Sequence, residues 1–100
     1  MERLSDMAHG LLSSRLGEGL CGHHPLFDLE AIRAAFSAPD VPVSREDAEE
    51  IGEALLVIAR KPLSHARVRV CGMSTGARDA LIRLYFRLLE RAGEARRTVH

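Results

Sequence analysis

Apolar residues recur along this chain at helical spacing, and glycine or proline separates one recurrence from the next. Leu4, Met7, Ala8, Leu11, Leu12 and Leu16 form a stripe that predicts a first helix over residues 3–16. Gly17, Gly19, Gly22 and Pro25 follow closely and predict a loop. Asp28 then has the character of a helix N-cap, with a carboxylate able to accept from an orphan N–H of the first turn. Phe27 and Ile32 stand at hydrophobic-staple spacing around it. A short second helix is expected over 28–37, ended by Pro39 and Pro42.

The third helix is the best specified, over 45–60. Ser44 caps it, Asp47 sits where a capping box places an acid, and Glu46, Asp47, Glu49 and Glu50 gather at its positive end. Capping accounts for all four acids on this reading. Ala48, Ile51, Leu55 and Ile58 make its inner stripe, Arg60 and Lys61 suit its negative end, and Pro62 stops it.

Residues 63–73 carry two periods at once. Ala66, Val68 and Val70 alternate with His65, Arg67 and Arg69 as a strand would, while Leu63, Ala66 and Val70 fit a short helix capped by Ser64. A lone strand in a helical chain lacks a partner, so a helix is expected here, with a short strand at 66–71 as the alternative. Gly72-Met73-Ser74-Thr75-Gly76 reads as a turn, with Ser74 or Thr75 capping the last helix. That helix is expected to stop at Gly93, leaving 93–100 as a frayed tail.

Leu81, Ile82, Leu84, Tyr85, Phe86, Leu88, Leu89 and Ala92 span about 200° of the last helix, against little over 100° for an ordinary surface helix. The helix must be central in its bundle or shared with a second copy. Because the other helices are few and short, the reading favours sharing. A homodimer or a protein partner is expected, with Leu81, Tyr85, Leu88 and Leu89 as anchors and Arg83, Arg87 and Arg91 on the rim.

The expected architecture is all-α, a compact bundle of four or five helices formed by residues 1–100 as one domain. Composition agrees: 46% of the 100 residues are hydrophobic, enough for a core, and aromatics are confined to Phe27, Phe36, Tyr85 and Phe86, which leaves aliphatic helix packing. No stretch is apolar for the length of a membrane span or resembles a secretory leader, so no membrane association and a cytoplasmic location are expected.

The zero net charge hides a division, −6 over residues 1–50 and +6 over 51–100, with Lys61 the sole lysine. Arg60, Lys61, Arg67 and Arg69 form the candidate nucleic-acid-binding set, since guanidinium groups suit phosphate. Cys21, His23 and His24 offer zinc-type ligands in the glycine-rich loop, but without the paired spacing that a zinc site uses. They are weak candidates, and no cofactor is expected. Cys71 reads as a small buried filler. The leading functional expectation is a non-enzymatic interaction module; the alternatives are a nucleic-acid-binding regulator and a zinc-binding domain.

Overall fold

A computed structural model of the chain describes residues 26–39 and 41–98, and within them the backbone forms four helices and no strand. They are α1 (Leu29–Ser37), α2 (Arg45–Arg60), α3 (Leu63–Cys71) and α4 (Thr75–Thr98). The fold class is all-α. The helix expected over 3–16 and the Cys21/His23/His24 loop lie outside the described residues.

Local chemistry explains where the helices begin. Asp28 accepts from the Ala31 N–H at 2.7 Å, and Ser44 Oγ accepts from the Asp47 N–H at 3.1 Å. Each is a side-chain N-cap satisfying one of the donors a helix start leaves open. α3 differs from expectation: Pro62, not Ser64, occupies its N-cap position, and no side chain caps it.

The segment at 66–71 is helix and not strand. Ala66 and Val70 are buried and Leu63 half-buried, whereas Val68 is 72% exposed. A strand would have put Ala66, Val68 and Val70 on one face. Coiling this stretch satisfies its backbone groups internally, where a strand would have needed an edge to pair with.

α4 also departs from the sequence reading, because helix continues beyond Gly93 to Thr98. Gly inside a helix is about 1 kcal/mol less favourable than Ala, and good helix formers on both sides of Gly93 can absorb that. A glycine stop is often accompanied by a following apolar residue that folds back onto the last turn, and Glu94 offers none.

The core gathers around α4, which packs against both α1 and α2, while α3 lies on α2. Leu81, Ile82, Leu84, Tyr85 and Leu88 are all buried, alongside Ile51, Ala54, Leu55 and Ile58 from α2 and Ala35 from α1. Leu26 and Phe27 close another side, with the Phe27 and Tyr85 rings edge to face at 5.2 Å. α4 is therefore the central helix, and its wide apolar girth is covered within one chain.

Arg83 of α4 fastens α1 in place. Its Nε donates to the Ala35 carbonyl at 2.8 Å and its Nη2 to the Ala38 carbonyl. Both acceptors belong to the end of α1, whose own last turn carries no basic residue. Carbonyls there lack helical partners, and a cation beside them also offsets the negative end of the helix. Arg83→Met keeps much of the stem but removes both bonds. It is expected to destabilise the fold by about 2 kcal/mol, the scale for charged hydrogen bonds, as read from the urea midpoint.

Candidate functional site

Between α1 and α2 the chain runs as an extended link beside α4. Ala38 ends α1 with φ −74° and ψ 152°, and Ser44 starts α2 with φ −69° and ψ 161°. Pro39 and Pro42 forbid helix here, and the Val41 N–H donates to the Pro39 carbonyl at 3.1 Å. The link, the first turns of α2 and one side of α4 enclose a groove of about 290 Å³.

The groove is mostly apolar, with Val41, Pro42, Val43, Ile51, Ala80 and Leu84 among its lining. Its polar lining is Asp47, Thr75, Asp79, Arg83 and Arg87, with no histidine or cysteine. Val41 is 67% exposed, a large side chain left at the rim. Along α4 the lining positions 76, 79, 80, 83, 84 and 87 follow helical spacing and form one continuous side.

The acidic end of the groove follows from how α4 starts. The first turn of α4 holds no acidic residue of its own. Glu50 of α2 supplies the charge from across the interface, accepting from the Ser74 N–H at 2.9 Å and from Ser74 Oγ at 2.8 Å. Asp47, one turn earlier, packs against Gly76, where an added Cβ would come within 2.9 Å of its Oδ2. Glycine there allows the close approach. Two of the four α2 acids thus serve α4 as well as their own helix, a wider role than capping.

Asp79 lines the groove, and its Oδ1 is buried with no hydrogen-bond partner, as is Arg78 Nε. Arg83 reaches the groove but is spent on the α1 carbonyls, while Arg87 is exposed at the far end.

The anchors expected from sequence fall elsewhere. Leu81, Tyr85 and Leu88 are buried in the core and Leu89 is half-buried, so the girth of α4 no longer argues for a second copy. The sequence reading underestimated how much of α4 its own chain covers. Of the expected rim, Arg83 is half-buried and Arg87 and Arg91 are exposed.

Arg60, Lys61 and Arg67 are exposed on the α2–α3 corner, and Arg69 pairs with Glu53 at 3.3 Å. Cys71 is an exposed free thiol and not a core filler. Among the described residues, no cluster of three or more His, Cys, Asp or Glu could hold a metal. No described helix is long and apolar enough to cross a membrane.

The groove itself was missed by sequence reasoning. The one available signal was the Pro39-x-x-Pro42 link bearing apolar Val41 and Val43 just before the Ser44 cap.

Hydrogen bonds from Ser74 N–H and from Ser74 Oγ hold the Glu50 carboxyl below the usual range, with a smaller contribution from Arg69. A depressed folded value means that the stabilisation is whole above the ordinary glutamate value of about 4.3 and fades as pH falls through the lower folded value. Glu50→Gln is expected to lower the urea midpoint at neutral pH. The gap from wild type should narrow on acidification through that window; a constant gap from pH 7 to 3 would contradict the assignment.

No family model, curated protein or solved structure matches this chain.

Proposed function

We propose that this domain is a non-enzymatic interaction module that receives a protein partner in the groove between the 38–43 link and α4. One observation carries the reading: about 290 Å³ of mostly apolar space stays open along one side of α4 while Leu81, Ile82, Tyr85 and Leu88 pack into the core. Concave apolar sites with a few placed polar groups are the usual form of a recognition site. An adaptor or regulator fits this better than a catalyst, since the lining holds no serine, cysteine, histidine or lysine.

A second reading has its own support. α2, the Lys61–Pro62 turn and α3 form a corner on which Arg60, Lys61 and Arg67 are all exposed. Three phosphate contacts would make log K fall against log salt with a slope of about −2.7. Retention on immobilised duplex DNA with that slope would favour this reading, whereas elution without salt dependence would discard it.

Two measurements test the leading reading. Light scattering is expected to give the single-chain mass of 11.0 kDa, since α4 is enclosed within its own chain. A photocrosslinker at Val41 should trap a distinct protein that one at Val68 does not, and Val41→Asp should weaken that complex roughly tenfold, the scale of one lost valine contact. Adducts formed only from position 68, or only with a second copy, would overturn the reading.

A further inference from the structure

Resting on the groove as the partner site, we propose that its occupant is an extended peptide segment. It carries a basic and an acidic residue three or four positions apart, with an aliphatic side chain between them. The polar lining is ordered by sign: Asp47 and Asp79 stand at the α4 start, apolar Ala80 and Leu84 follow, and exposed Arg87 closes the other end.

From Asp79 to Arg87 the helix rises about 12 Å at 1.5 Å per residue. An extended chain advances about 3.3 Å per residue, so between three and four residues cover that distance. An ammonium or guanidinium at the first end would face the Asp47 and Asp79 carboxylates that line it. A carboxylate at the other end would meet Arg87. Arg83, between them, is held by the Ala35 and Ala38 carbonyls and acts as wall.

The dimensions favour a peptide over a whole small ligand. The groove's 290 Å³ lies at the lower edge of ligand pockets. Its lining nevertheless runs from Thr75 to Arg87, about 18 Å of helix. Such a shape accepts one or two side chains from a strand crossing it. A uniformly basic segment would face Arg87, and a uniformly acidic one would face Asp47 and Asp79.

The test is selection of a phage-displayed random heptapeptide library on the full chain, on Arg87→Glu and on Val41→Asp. Arg87 and Val41 are exposed, so both variants are expected to fold, and circular dichroism checks this. Wild type should enrich peptides with opposite charges three or four apart around an aliphatic residue. Arg87→Glu should shift the enrichment to peptides basic at both ends, with at least a fivefold change in relative affinity of the matched synthetic peptides. Apolar enrichment without a charge pattern, lost in Val41→Asp, would overturn this inference and leave the groove standing as a site. No enrichment, or enrichment that Val41→Asp leaves unchanged, would overturn both.

Discussion

The last helix has to hide apolar side chains around more than half of its circumference, and the rest of the fold is arranged to meet that demand. Leu81, Ile82, Leu84, Tyr85 and Leu88 each contribute about 1.5–3 kcal/mol when taken from water, provided neighbours close over them. α1 and α2 flank the helix, and Leu26 and Phe27 cover a further side. α3 packs chiefly on α2 and presents most of its surface outward. The groove follows from the same arrangement. With α1 and α2 both against α4, the link joining them must run beside the central helix, and two prolines keep that link from coiling and filling the space.

Two helix ends are completed by charges from neighbouring helices. α1 lacks a basic last turn and receives Arg83 from α4; α4 lacks an acidic first turn and receives Glu50 and Asp47 from α2. The Arg83 and Glu50 contacts do two things at once: they satisfy orphan backbone groups and lock helix–helix interfaces, while Asp47 packs against Gly76. Ordering these side chains costs conformational entropy, which charge-assisted bonds between packed elements can offset better than solvated surface pairs. Asp47 and Arg83 also border the groove, so part of the framework that holds the helices together also shapes the groove's polar lining.

This placement bears on function. Leu81, Ile82, Tyr85 and Leu88 are consumed by the core and are not available for recognition. The accessible surface includes a modest concave site of ordered polarity, a separate basic corner at Arg60, Lys61 and Arg67, and exposed apolar side chains at Leu29, Phe36, Leu56 and Val68. The groove and the basic corner suit different partners. Selectivity at the groove would come from charge placement more than from buried area, consistent with electrostatics governing specificity at small interfaces.

Much of the described fold is written in local chemistry. Asp28 and Ser44 mark helix starts because their side-chain oxygens reach backbone donors three residues on, and Pro39, Pro42 and Pro62 mark stops because their rings exclude helix. These effects act within a turn or two, so sequence alone determined the class of fold, the bounds of α2 and the apolar girth of α4. Whether that girth was covered by the same chain or by a second copy depended on how closely α1 and α2 approach, which no local pattern encodes. The bonds from Arg83 to Ala35 and Ala38, and from Ser74 to Glu50, join residues far apart in the chain. Only the packed tertiary structure brings them together, because side chains of opposite need meet there through the burial of other residues and not through their own spacing.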